Sequence, residues 1–193
     1  MGGFPPPQRI IMNKLLVVVD AQNDFITGAL HNDDALKAIP ALVSYVNQFD
    51  GDVIATKDTH YSKEDADAMH MPDLAYENTL EHVFPVHCIR NTDGWEIEST
   101  VQDALAAKQA TIVEKLSFGY PDWADTLEDY DELDEIHLVG FCTDICVISN
   151  ALILRALFPN AKMYIKADCC AGTTPANHAA ALAVAASCQI EAI

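Results

Sequence analysis

Positive charge is scarce in this chain: 11 Lys and Arg stand against 29 Asp and Glu among 193 residues, a formal net charge of −18. Such a field repels phosphate backbones and anionic lipid headgroups, so no binding to nucleic acid or membrane surfaces is expected. Long apolar runs are missing, since none approaches the roughly 20 residues of a membrane-spanning helix. The start, MGGFPPPQRIIM, lacks the apolar stretch of a signal peptide, and a cytoplasmic protein is expected. Cysteine is sparse: six residues are too few for a disulfide scaffold of this length, and free thiols are expected. Neither Cys142/Cys146 nor Cys169/Cys170 has the CxxC spacing of a structural zinc knuckle, so a reactive thiol has to be sought one residue at a time.

What is present is enough for one core. Half of the residues are hydrophobic and 21% are charged, which suits a single α/β domain, folding alone or as a homo-oligomer. Residues 1–12 carry three consecutive prolines and no apolar period, and read as an extended arm ahead of a domain spanning 13–193. LLVVV at 15–19 is a continuous apolar run of β-formers, the pattern of a central parallel strand buried on both faces. Similar runs follow at 52–56, 110–113, 136–139, 162–165 and, more weakly, 189–192. Helical patterns lie between them at 34–48, 98–108, 144–157 and 175–187, the last opening with Thr174 as cap and Pro175 in its first turn. The alternation predicts an α/β fold with a doubly wound, mostly parallel six-stranded sheet and helices on both faces, whose ligands bind beyond the carboxyl ends of the strands. The stretch 57–95 has no strong period and is long for an idle connection.

Three residues end or follow buried strands: Asp20 after LLVVV, Lys115 after ATIVE, and Cys146 just inside the helix after IHLVG. Taken singly, each has an ordinary structural reading, as a core thiol or a solvated charge. Together they form a constellation for covalent hydrolysis. A thiolate attacks a carbonyl, a helix N-terminus and a nearby ammonium both lower a thiol pKa, and an aspartate can take the thiol proton and pass it to a leaving amine.

With these residues in view, the sequence resembles the isochorismatase-like cysteine hydrolase superfamily and, within it, the nicotinamidases. The resemblance runs from Lys14 to the C-terminus and rests on VVVDAQNDF (17–25), ATKDTH (55–60), FPVHC (84–88), EKLSF (114–118) and GFCTDICV (140–147). It implies a catalytic triad of Asp20, Lys115 and Cys146. Because members that cleave the vinyl ether of isochorismate lack the nucleophilic cysteine, Cys146 favours hydrolysis of a C–N bond in a small amide or carbamoyl compound. The resemblance also implies a non-proline cis peptide between Phe141 and Cys142, with the backbone N–H groups of Cys142 and Cys146 as an oxyanion hole.

The 57–95 stretch offers Asp58, His60, His70, Glu81, His82 and His87, an oxygen and nitrogen set suited to Zn, Fe or Mn. The nicotinamidase metal site begins with the D-x-H of Asp58 and His60 and closes with the histidine that matches His87. The remaining ligand is Glu81 or His70, with Glu81 preferred. A divalent metal, Zn foremost, would then orient a pyridine ring. Phe25 and Phe84 fall on positions that sandwich this ring, with Phe118 or Tyr120 as a further wall. Asp24 and Asp144 lie inside the signatures without needing to touch substrate. The implied activity is conversion of nicotinamide to nicotinate and ammonia through a thioester. The alternative is a metal-independent cysteine hydrolase of another small amide or carbamoyl compound.

Overall fold

In the computed structural model, which describes residues 13–130 and 132–193, six strands form one sheet in the order β3-β2-β1-β4-β5-β6 with every pairing parallel. The sheet is therefore wholly parallel where the sequence predicts a mostly parallel one. The strands are β1 (Lys14–Val19), β2 (Asp52–Asp58), β3 (Thr111–Lys115), β4 (Glu135–Phe141), β5 (Lys162–Ala171) and β6 (Ile190–Ala192). The expected arm, 1–12, lies outside the described residues.

The continuous apolar run of β1 is explained by its central place. Leu16 and Val18 pack into one core with the inner faces of α2 (Asp33–Gln48) and α4 (Ser99–Ala107). Leu15, Val17 and Val19 pack on the opposite face with α5 (Trp123–Thr126), α6 (Ile148–Leu157) and α7 (Pro175–Ser187). Two short helices, α1 (Asn23–Ile26) and α3 (Lys63–Ala68), complete the set. Helix starts follow local chemistry: Asn32 accepts from the Asp34 and Ala35 amides, Glu98 caps α4, and Thr174 caps α7 with Pro175 behind it.

The chain winds outward from β1 to β3 in one direction and from β4 to β6 in the other, so the reversal lies between β1 and β4. That is where a parallel α/β sheet opens a crevice beyond its strand ends. Register brings the key positions level there, with Val19 beside both Thr56 and Gly140, and Asp58 beside Lys115. Gly140 has φ +114, and a Cβ on it would collide with the Val19 carbonyl, so only glycine lets β4 run this close to β1. The 57–95 stretch is not bare coil. It winds through α3 and a succession of 3-10 turns, which explains the lack of a single hydrophobic period.

Candidate active site

Each of the three strand-end residues arrives at the same point. Asp20 leaves β1 at φ 46, and its N–H donates to the Thr56 carbonyl. Lys115 ends β3, and Cys146 lies in the wide π-type turn Thr143–Val147 that precedes α6. The sequence period predicts one helix over 144–157; the structure instead opens that segment with the wider turn. Lys115 Nζ, fully buried, lies 2.8 Å from Asp20 Oδ2, 3.0 Å from Asp58 Oδ1 and 3.6 Å from Cys146 Sγ, and donates to the Ser117 carbonyl at 2.9 Å. Thr56 Oγ1 donates to Asp20 Oδ1 at 2.6 Å. Asp20 Oδ2 has the Lys115 charge beside it but, among the described residues, no aligned hydrogen-bond donor. One oxygen of this buried carboxylate is thus held and the other is open to a proton.

Burial dominates the electrostatics. It pushes the Asp20 carboxyl up, by more than the Lys115 ammonium pulls it down. Burial also pushes the Cys146 thiol well up, against the pull of Lys115. This corrects the sequence-based expectation of a lowered thiol: the nearby ammonium does favour the thiolate, but desolvation of a fully enclosed sulfur outweighs it. For Lys115, burial disfavours the charge, yet Asp20, Cys146 and Asp58 together hold it protonated well above its ordinary range. These directions favour a neutral thiol beside a lysine that stays charged and an aspartate whose affinity for a proton burial has raised. Such a thiol needs a base, and Asp20 is suited to be one.

Asp58 turns its second oxygen the other way. Asp58 Oδ2 lies 3.1 Å from His60 Nε2 and 3.5 Å from His87 Nε2, and Glu81 Oε2 lies 3.4 Å and 3.9 Å from the same nitrogens. One ligand atom from each of the four buried residues falls within 4.8 Å of all the others. Ligands at about 2.0–2.2 Å from a tetrahedral metal stand roughly 3.3–3.6 Å apart, within the span of these separations. Among the described residues, His60 Nε2 is buried without a hydrogen-bond partner. His87 Nδ1 lies 2.8 Å from the Pro85 carbonyl, which only accepts, so the ring carries its proton there and turns a lone pair on Nε2 to the cluster. Burial opposes charge on His60, but the Asp58 and Glu81 carboxylates beside it push it up to about 9. The donor set, the orphaned nitrogen and the preference for positive charge fit a divalent metal ion. His70 is exposed and stands outside the cluster, as does His82.

A cavity of about 580 Å³ opens onto both halves of this arrangement, with Cys146 and Cys142 on one side and Asp58, Glu81 and His87 on another. Phe25, Phe84 and Phe118 all line it. Phe25 meets the edge of the His87 ring at 5.6 Å, and Phe118 is 38% exposed at the rim. Tyr120, weighed with Phe118 as a wall, turns away: its hydroxyl accepts from Thr126 and its ring packs edge-on against Trp123. The Phe141–Cys142 peptide is cis, as the resemblance implies. Asp24 and Asp144 serve structure. Asp24 accepts from the Ala29 and Cys88 amides, and Asp144 from the Thr173 amide and hydroxyl.

Sequence reasoning did not single out the supports. Gln22 sits inside the D-x-Q motif and grips Asp58 from both sides, accepting from its amide at 2.7 Å and donating to its carbonyl at 2.8 Å. Its spacing of two from Asp20 is the available signal. Thr56, whose hydroxyl holds Asp20, and Tyr76, whose hydroxyl donates to the Glu81 carbonyl at 2.6 Å, carry no signal that separates them from ordinary strand and loop residues.

Comparison with known proteins bears on the family and the fold. A nicotinamidase of Saccharomyces cerevisiae is 27% identical over 173 residues, covering 72% of this chain and 80% of that protein. Among solved structures, a nicotinamidase from Bacillus subtilis superposes with a TM-score of 0.77 at 26% identity, over 94% of this chain and 99% of that one. A pyrazinamidase of Pyrococcus horikoshii, solved in complex with zinc, shares the fold with a TM-score of 0.72 at 24% identity, over 94% and 98% of the two chains. The family model for the isochorismatase domain matches residues 14–193, a span that takes in all six strands and every residue gathered at their carboxyl ends, and the chain belongs to that family.

Proposed function

We propose that this protein hydrolyses nicotinamide to nicotinate and ammonia by covalent catalysis on Cys146. The observation that carries this reading is the Lys115 ammonium, which touches Asp20, Asp58 and Cys146 at once and so joins a nucleophile–base pair to a four-ligand cluster on one cavity. The nicotinamidases among its relatives support the choice of substrate.

Asp20 takes the thiol proton on its open oxygen as sulfur attacks the carboxamide carbon, and the C=O electron pair moves to oxygen. The oxyanion is met by the backbone N–H groups of Cys142 and Cys146. Collapse breaks the C–N bond, the leaving nitrogen takes the proton from Asp20 and departs as ammonia, and the acyl group remains on sulfur as a thioester. A water then attacks the same carbon while Asp20 takes its proton. The second collapse breaks the C–S bond, releases the carboxylic acid and returns the proton to the thiol. Lys115 stays charged throughout, stabilising Asp20 and the sulfur as negative charge passes between them. Phe25 and Phe84 sandwich the ring, with Phe118 at the mouth. Asp58, His60, Glu81 and His87 would hold a divalent metal, zinc foremost with iron or manganese as alternatives, and when bound it supplies a Lewis acid that orients the pyridine nitrogen.

The test is ammonia and nicotinate formation from nicotinamide, run beside benzamide, which keeps the amide and lacks the ring nitrogen. Equimolar products from nicotinamide and a much slower reaction with benzamide support the reading. No ammonia from nicotinamide, with release from another small amide or carbamoyl compound, moves the assignment to the wider cysteine hydrolases.

A further inference from the structure

Asn150 is fully buried on the first turn of α6, four residues after Cys146, and all its amide hydrogen-bonding capacity is used. Nδ2 donates to the Cys146 carbonyl at 2.8 Å and to the Phe118 carbonyl at 3.3 Å. Oδ1 accepts from the Tyr120 amide at 2.9 Å and from the Trp123 indole N–H at 2.8 Å. The loop it grips, 116–120, is held at its other end by Lys115, which donates to the Ser117 carbonyl. One side chain therefore ties the backbone of Cys146, the aromatic wall Phe118 and the carbonyl support of Lys115 into a single unit. A helix residue that served packing alone would not need a donor aimed at the Cys146 carbonyl and a second aimed out of its helix at the Phe118 carbonyl.

We infer that Asn150 is a positioning residue, which sets Cys146 within its wide turn and holds Phe118 over the same cavity. The inference rests on Cys146 as the nucleophile. Its chemistry is specific to the amide. Asn150→Asp keeps size and the acceptor half, but places an oxygen against two carbonyl oxygens. Asn150→Ala removes both halves. Asn150→Ser keeps one donor for the carbonyl four residues back and loses the loop.

The experiment measures alkylation of Cys146 by iodoacetamide, followed by mass at the Cys146 peptide, together with kcat and KM for nicotinamide. All are read well below each variant's Tm. The Asp and Ala variants are expected to lose about 10-fold or more in both alkylation rate and kcat, since misplacing a reacting group by an ångström is enough for such a loss. Folded Asp and Ala variants that alkylate Cys146 within about twofold of the wild-type rate, whatever their Tm, would overturn the inference. If neither folds, Asn150→Ser decides. It should keep alkylation within roughly threefold while KM rises about threefold or more, because only the Phe118 link is cut; an unchanged KM would contradict the proposal. Retained turnover by Cys146→Ala would instead refute the nucleophile, and the alkylation rates, read without turnover, test Asn150 separately.

Discussion

Replacing Lys115 by methionine probes the centre of the site through stability as well as activity. The ammonium is fully buried, at 2.8 Å from one carboxylate and 3.0 Å from another. Methionine fills most of its volume and leaves Asp20 and Asp58, both buried, without their shared counter-charge. Breaking a buried ion pair by removing one partner costs about 3–5 kcal/mol, a large part of the roughly 5–15 kcal/mol that holds a domain folded. The cost should depend on pH in a definite sense. Burial already pushes Asp20 up, and the substitution removes the pull of Lys115 that opposed it. The substitution therefore drives Asp20 further toward its protonated form in the folded variant, whereas the unfolded chain releases that proton above about pH 4. A folded state that binds more protons loses stability as pH rises, by up to about 1.4 kcal/mol per unit for one site. Urea unfolding at matched metal content should therefore show the largest penalty at pH 8, relieved by up to about 3 kcal/mol at pH 6. Adding Asp20→Asn to Lys115→Met should recover part of the loss at pH 8. A penalty below about 1 kcal/mol that is the same at both pH values would refute the picture of a buried, charge-linked cluster.

Asp20→Asn alone should lower turnover by about 100-fold or more, because an amide cannot take the thiol proton, while Cys142→Ala should stay within a few-fold of wild type because only its backbone is used; steady-state ammonia release checks both. His60→Ala and His87→Ala should lose bound metal and nicotinamide affinity together, measured by metal analysis and KM on the same samples, and His70→Ala should change neither. Far from the site, His137 is held below its ordinary pKa by burial, and its Nδ1 accepts from the Tyr45 hydroxyl at 2.7 Å. The unfolded chain binds a proton there that the folded chain resists, so this residue costs stability as pH falls below about 6.5. His137→Phe should show a flatter Tm between pH 7.5 and 5.5 than the wild type.

The architecture was legible because its strongest signals are local. A short apolar run of β-formers such as 15–19 suits a strand buried on both faces, and Thr174 with Pro175 marks a helix start without help from the rest of the chain. Asp20, Lys115 and Cys146 were legible because parallel strands deliver their carboxyl ends to one edge. The four-residue cluster was foreshadowed by its D-x-H pair, and the sequence already favoured Glu81 over His70; the structure brings Glu81 to the cluster and leaves His70 outside it. The sequence could not show how far burial would outweigh Lys115 at Cys146, since desolvation depends on everything packed around the sulfur. Nor could it show Asn150, whose partners at 118, 120 and 123 come from a loop that no period marks.

The central claim is that the acyl group passes through Cys146. Acid-quenching the protein during turnover of nicotinamide and weighing the Cys146 peptide tests it most directly. A nicotinoyl adduct on that peptide is expected in the wild type, and neither adduct nor ammonia release from Cys146→Ala. Turnover by Cys146→Ala at the wild-type rate, or an adduct on Cys142 in place of Cys146, would contradict it.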